Sequence, residues 1–243
     1  MDQLPPPPEP SSGPAERSSR TYRIVVACAR PIVRGWGRLT VEGLDVLPGS
    51  GPVVIFANHD SMWDPLTIAV AAGHRRQIRA LAKASLWRIP VLAQVLDGMG
   101  QIPVRRGQKD ASAMDAAVQV LTDGGCIGIF PEGTVTHGRI LRARSGAGRL
   151  VLGEPASRIV CATVEGTTDM VAFPRRPRLR VRFFSPTGGG PRPGEDAVEL
   201  STRILAELRA EVPARASRRR HRRPLPVGVP GDRPGTPPGH PEG

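Results

Sequence analysis

At 243 residues, with 28 Gly and 27 Pro and ends rich in both, the chain has room for one domain with a sizeable core. A formal net charge of +12 points to acidic partners (a membrane surface, nucleic acid or phosphorylated substrates) without choosing among them. Its 3 cysteines, Cys28, Cys126 and Cys161, lie far apart in apolar surroundings, which excludes a disulfide-stapled scaffold and a Cys-based metal site and suggests buried free thiols in a reducing compartment. Residues 1–20, with Pro5-Pro6-Pro7-Pro8 and no apolar core, read as a disordered leader and not as a signal peptide.

Residues 21–40 mix apolar side chains with spaced arginines and Trp36, and Pro31 interrupts them. The stretch is too charged to span a bilayer, which takes about 20 mainly apolar residues. It suits a helix lying on an anionic lipid interface, or equally a packing helix whose arginines face water. Residues 41–48 read as a short strand and turn. The all-apolar run 52–57, bounded by Gly51, reads as a strand buried on both faces. Asp64 and Pro65 open a helix that runs to Gly73, with Asp64 as its cap. Residues 79–82 read as a strand. Residues 86–96 are helical apart from Pro90, with Trp87, Val91, Leu92, Val95 and Leu96 at core spacing. Residues 110–123 form the clearest helix, capped by Asp110, faced by Met114, Ala117, Val118 and Leu121, and ended by Gly124. A strand over 126–130, a helix over 145–153, a strand over 159–164 and an alternating strand over 179–184 near the sheet edge follow. The last helix, 195–212, is amphipathic through Val198, Ile204, Leu205 and Leu208. This alternation of helices and short buried strands argues for an α/β sheet with function at the strand ends. Beyond Pro213, the cluster Arg218-Arg219-Arg220-His221-Arg222-Arg223 sits in Pro/Gly-rich sequence that cannot build a core. It reads as a solvated tail or as a tether to an anionic membrane, and no nucleic-acid recognition motif accompanies it.

Three strand ends carry chemistry-bearing residues. His59 leaves the 52–57 strand and Asp64 starts the next helix, so one short loop brackets both. A neutral imidazole can take a proton from a hydroxyl when its other ring nitrogen donates to a carboxylate that fixes the tautomer. The pair alone fits equally a helix cap beside a polar strand-end residue. Pro131-Glu132-Gly133-Thr134, directly after the 126–130 strand, offers backbone amides and a hydroxyl to an anionic group, or is an ordinary tight turn. Arg105 and Arg106 follow a third apolar run, and planar guanidinium groups match phosphate bidentately.

In this order, Asn58-His59 through Asp64, Ile102-Pro103-Val104-Arg105-Arg106 and Phe130-Pro131-Glu132-Gly133-Thr134 resemble the blocks of the glycerolipid acyltransferase family that includes 1-acyl-sn-glycerol-3-phosphate acyltransferase. The resemblance covers roughly residues 41–166. It implies an α/β fold with a central, mostly parallel sheet flanked by helices and an N-terminal amphipathic, membrane-associating segment, with the acyltransferase domain over 21–212 and a disordered basic tail over 213–243. It further implies transfer of a fatty acyl group from acyl-CoA or acyl-ACP to the hydroxyl of a lysophospholipid, 1-acylglycerol-3-phosphate above all, at the cytoplasmic face of the cell membrane. His59 would be the general base and Asp64 its partner. Arg105, Arg106, Glu132, Gly133, Thr134 and, more loosely, Lys83 would line the acceptor site, with no cofactor and no metal. The apolar residues of 86–96 are then core, or part of an acyl-chain groove.

Two departures stand out. Val135-Thr136 replaces the Arg and Ser that usually extend the third block, and Arg139, Arg142 or Arg144 are candidates to replace that cation. Cys161 stands where the fourth block carries Pro. Both leave open a different lipid acceptor. Ser61 suggests a hydrolase, but no Gly-x-Ser-x-Gly elbow surrounds it. A non-catalytic basic protein binding membrane or nucleic acid would leave the ordered blocks unexplained.

Overall fold

The computed structural model describes residues 18–73, 75–105, 110–139, 141–171, 174 and 176–212. Residues 1–17 of the expected leader, the basic tail and Arg106 fall outside the described residues, whereas the last residues of that leader are ordered, with Ser19 capping the first helix and Arg20 opening it. The strands are β1 (Thr40–Glu42), β2 (Val53–Ala57), β3 (Arg79–Lys83), β4 (Ile102–Val104), β5 (Cys126–Ile129), β6 (Arg158–Glu165) and β7 (Arg180–Phe184). The helices are α1 (Arg20–Arg30), α2 (Asp64–Ala72), α3 (Pro90–Gly98), α4 (Ala111–Thr122), α5 (Gly146–Gly153) and α6 (Ala197–Glu211).

The strands make one seven-stranded sheet in the order β1-β7-β6-β2-β5-β3-β4. Every neighbouring pair is parallel except β6 with β7. Central β2 is buried along its whole length, because Val53, Ile55 and Ala57 meet one helical layer and Val54 and Phe56 the other. On the first side, Ile68, Ala71 and Ala72 of α2 cover β2 and β6, and α1 packs on α2 in turn through Tyr22, Val26 and Ala29. On the second side, α4, α5 and α6 meet the sheet through Ala117, Leu121, Leu150, Leu200, Ile204 and Leu208. Covering both faces is the condition under which a mostly parallel sheet is stable.

Register places the site. Phe56 of β2 lies opposite Ile129 of β5 and Cys161 of β6. The residues that follow these three strands therefore emerge together at one sheet edge, as expected for an α/β fold.

Several expectations change. The 21–40 segment is α1 followed by a π-helical stretch, Pro31–Trp36; Pro31 has no N–H to continue the α-helical ladder. One stripe of this segment is core, and the arginine-bearing stripes stay outside. Cys28 is exposed, because it lies on the outer face of α1, whereas Cys126 and Cys161 are buried. None of the apolar residues of α3 is buried, and Val91 is 74% exposed, so spacing alone overstated that helix as core. In α6, Leu200 and Ser201 take the inward positions and Val198 is exposed. β7 lies near the sheet edge as expected, with only β1 beyond it.

Candidate active site

The loop after β2 folds around one carboxylate. Asp64 is the first residue of α2, yet its side chain does not cap that helix. It turns back instead. Its Oδ2 accepts the backbone N–H of Asp60 at 2.7 Å and of Ser61 at 2.8 Å, and lies 3.1 Å from His59 Nδ1. Its Oδ1 accepts the hydroxyl of Thr167 at 2.5 Å. Asp64 is fully buried, and the two amides and the hydroxyl around it all donate, so the ionised carboxylate is the form this cage fits. A neutral His59 making this contact carries its proton on Nδ1 and donates it to Asp64, with its lone pair on Nε2.

The ring is clamped from a second strand. Phe130, just past β5, stacks on His59 with centroids 4.0 Å apart and planes 18° from parallel. The backbone N–H of Thr136 donates to the His59 carbonyl at 2.7 Å. Asn58 ties the same loop to β6: its side chain accepts the N–H of Val164 at 2.8 Å and donates to the Val164 carbonyl at 2.9 Å. The imidazole and its loop are thus fixed by three strand ends.

Phe130 to Gly133 make a tight turn closed by the Gly133 N–H donating to the Phe130 carbonyl at 2.9 Å, with Pro131 at the position that suits its fixed φ. Gly133 has φ of 68°, a conformation that glycine adopts without strain. A Cβ at this position would stand 2.6 Å from Cδ of Arg144, so the Arg144 side chain lies directly over the turn. Of the three arginines considered as replacements for the missing third-block cation, Arg144 is the one seen against Gly133. Thr134 and Val135 are half-buried beside it.

Glu132 points inward. Its side chain is fully buried, its Oε1 accepts from Nη2 of Arg209, and its Oε2 has no partner among the described residues. Arg209 comes from α6 and also reaches Asp60, with Nη1 3.2 Å from Oδ2. Asp60 further accepts from Thr136 Oγ1, from Asn58 Nδ2 at 2.9 Å and from the Gly138 N–H at 3.3 Å. Between Thr136 and Gly138, His137 adopts φ of 52°, a region in which His is enriched among non-glycine residues. Burial pushes the Glu132 carboxyl up, against the pull of Arg209. Burial also works against the charge on Asp60, but the bonds from Thr136, Asn58 and Arg209 outweigh it and hold that carboxyl below its usual range. Arg209 is held charged because Glu132 and Asp60 outweigh its own burial.

The other candidates divide. Lys83 and Arg105 lie at the exposed C-terminal ends of β3 and β4, the sheet edge that His59 shares. Ser61 is buried, and its hydroxyl donates to the Thr167 carbonyl at 3.2 Å and accepts from the Trp63 N–H at 3.2 Å, so it is engaged away from the imidazole. Cys161 sits mid-strand in β6 within the core, where burial pushes its thiol up to about 12; its place in the fold is packing.

Asp60, Thr136, Thr167 and Arg209 carry this architecture without having been singled out from sequence. Asp60 lies inside the first recognised block and Thr136 two residues past the third, and those positions were a usable signal. Arg209 had none, since it is 149 residues from Asp60 and one arginine among many.

The family model described as acyltransferase matches residues 38–164, which span β1 to β6 and hold both His59 and Glu132. The chain belongs to the acyltransferase family. A 1-acyl-sn-glycerol-3-phosphate acyltransferase of Borreliella burgdorferi is 40% identical over 103 residues, 42% of this chain and 40% of that protein. A chloroplastic 1-acyl-sn-glycerol-3-phosphate acyltransferase of Arabidopsis thaliana is 28% identical over 134 residues, 54% of this chain and 36% of that protein. This acyltransferase-family chain thus spans 40% or less of the length of these two curated relatives. Among solved structures, the 1-acyl-sn-glycerophosphate acyltransferase of Thermotoga maritima superposes with a TM-score of 0.64 at 17% identity, covering 81% of each chain. That likeness establishes the fold.

Proposed function

We propose that this member of the acyltransferase family moves a fatty acyl group from a thioester, acyl-CoA or acyl-ACP, to the free hydroxyl of 1-acylglycerol-3-phosphate, giving phosphatidic acid. The observation that carries the reading is the His59–Asp64 pair, a buried carboxylate holding Nδ1 at 3.1 Å and thereby making Nε2 a base. The acceptor hydroxyl gives its proton to Nε2 as its oxygen attacks the thioester carbon. The new C–O bond forms, the C–S bond breaks, and the proton on His59 passes to the departing sulfur. No acyl-enzyme is needed, because the thioester already carries the activation.

Arg144 over Gly133 supplies a cation for the acceptor's phosphate, with Arg105 and Lys83 as further cations along the strand ends and Arg106 as a candidate from its sequence block alone. Glu132 serves a different role, because a buried carboxylate paired to Arg209 repels phosphate and instead anchors the turn from within. The acceptor follows from the names of the relatives and from this cationic rim. Among the described residues no helix is long and apolar enough to cross a membrane, and the exposed arginine and apolar stripes of α1 suit peripheral attachment at the cytoplasmic membrane face.

The test is acyl transfer by purified protein from long-chain acyl-CoA, and separately acyl-ACP, to lysophosphatidic acid beside a panel of other lysolipids. Removal of a positioned base costs about 10² to 10⁴ in rate, so His59→Ala should lose that much while Ser61→Ala keeps most of the activity. Near-normal turnover in His59→Ala would refute the mechanism. Transfer only to another lysolipid would keep the mechanism and replace the acceptor.

A further inference from the structure

α1 and the π-helical stretch that continues it show three stripes to their surroundings. Tyr22, Val26, Ala29 and Val33 face inward. Arg23, Ala27, Arg30 and Arg34 form the next row, and Ile24, Cys28 and Ile32 the outermost, with Ile24 62% exposed. Between the arginine row, the last turn of α2 and the short turn after β1 lies a groove of about 500 Å³, within the range of small-ligand sites. Val26, Leu44 and Val70 contribute its apolar wall, and Arg30, Arg34 and Arg75 stand at its rim.

The charges at that rim are unbalanced. Arg75 is anchored by donating to the carbonyls of Leu47 and Asp45, which neutralise nothing. Arg30 and Arg34 have no hydrogen-bond or ion-pair partner among the described residues. Three guanidinium groups over an apolar wall, beside an exposed apolar stripe, are complementary to an anion that carries hydrocarbon. The groove is separate from the catalytic loop: Asp64 is the first residue of α2 and the groove lies at its end, about 12 Å away along the helix axis at 1.5 Å per residue.

We propose that this groove is a second lipid site, which seats one acidic membrane phospholipid with its phosphate between Arg30, Arg34 and Arg75 and the start of its acyl chains against Val26, Leu44 and Val70. It holds the enzyme at the membrane and takes no part in acyl transfer. The proposal goes beyond the catalytic reading and does not depend on it, since its test needs neither donor nor turnover.

The experiment is calorimetric titration of the full-length protein with dihexanoyl-phosphatidylglycerol as dissolved monomer, beside dihexanoyl-phosphatidylcholine and inorganic phosphate at matched ionic strength. One equivalent of phosphatidylglycerol should bind, whereas phosphatidylcholine and phosphate alone should bind far more weakly. At about 1 kcal/mol for each basic residue near an anionic headgroup, Arg30→Gln with Arg34→Gln should weaken binding about 25-fold. Ala27→Gln, which narrows the mouth at an exposed position without changing charge, should weaken it as well. Arg149→Gln with Arg158→Gln, the same charge change on exposed residues of α5 and β6, should leave it intact. Equal loss in that control pair would show general electrostatics and overturn the site. Full affinity in Ala27→Gln, equal binding of phosphatidylcholine, or phosphate binding as tightly as the lipid would also overturn it. Dimers of the free protein that Ala27→Gln abolishes, with lipid binding unchanged, would assign the groove to a second copy of the chain.

Discussion

Arg209→Met tests whether one guanidinium from the last helix holds the catalytic loop and the Pro-Glu-Gly-Thr turn together. Removing one partner of a buried ion pair costs about 3 to 5 kcal/mol, because the other charge stays buried and uncompensated. Here the losses are unequal. Asp60 keeps its bonds from Thr136, Asn58 and Gly138, so its share is small. Glu132 is fully buried, its Oε2 has no partner among the described residues, and it loses the one cation paired with it there. A cost near the low end, about 3 kcal/mol, is therefore expected at neutral pH and above.

The pH dependence supplies the sharper check. Burial already raises the folded-state Glu132 carboxyl above its unfolded value, and loss of Arg209 raises it further. A raised acid gives its full stabilisation below the unfolded pKa and loses it as pH climbs through the folded pKa. The variant's deficit against wild type should therefore widen between about pH 5 and pH 8, at no more than about 1.4 kcal/mol per pH unit for one proton. Urea denaturation at both pH values measures it. Glu132→Gln removes the titrating charge, so the double variant should recover about 1 to 3 kcal/mol relative to additivity. An additive cycle, or a deficit that is the same at both pH values, would refute the pairing as the source of the effect.

Asp64→Asn places an amide where the surrounding groups all donate, and it should lower kcat by about 10² or more while leaving acceptor KM little changed, measured by steady-state acyl transfer. Cys28 is exposed, Cys126 is buried and the Cys161 thiol is pushed up to about 12; a thiol reagent should therefore modify one cysteine per native chain and all three after unfolding. Glu195 is held down at about 2, chiefly by its hydrogen bonds from Arg203. A depressed acid stabilises above its unfolded pKa of 4.5 and loses that contribution as pH falls towards 2, so Glu195→Gln should be less stable than wild type at neutral pH and converge with it in acid. Thermal unfolding across that pH range reads the difference.

The parts of this fold that could be read from sequence are those set by local chemistry. The 52–57 run could only be a strand covered on both faces, and Asp110 before an apolar-periodic stretch had to begin a helix; it accepts the Ala113 N–H as expected. The nearness of His59 and Asp64 was legible because both lie on one short loop, while their pairing as base and partner was suggested only by the three ordered blocks together. Errors arose where exposure depends on what packs across from a residue. The apolar residues of α3 have helical spacing but no opposing layer that buries them, and Cys28 lies one position away from the inward stripe of α1. Arg209 marks the limit of local reading. Its link to Asp60 and Glu132 exists only because β2 and β5 end at the same sheet edge and α6 ends above it, and parallel register sets that meeting across 149 residues of chain. The turn after β5 supplies Phe130 to stack on His59, so what anchors Glu132 inside that turn also bears on the plane of the imidazole, and that anchor, Arg209, lies outside the span that identifies the family.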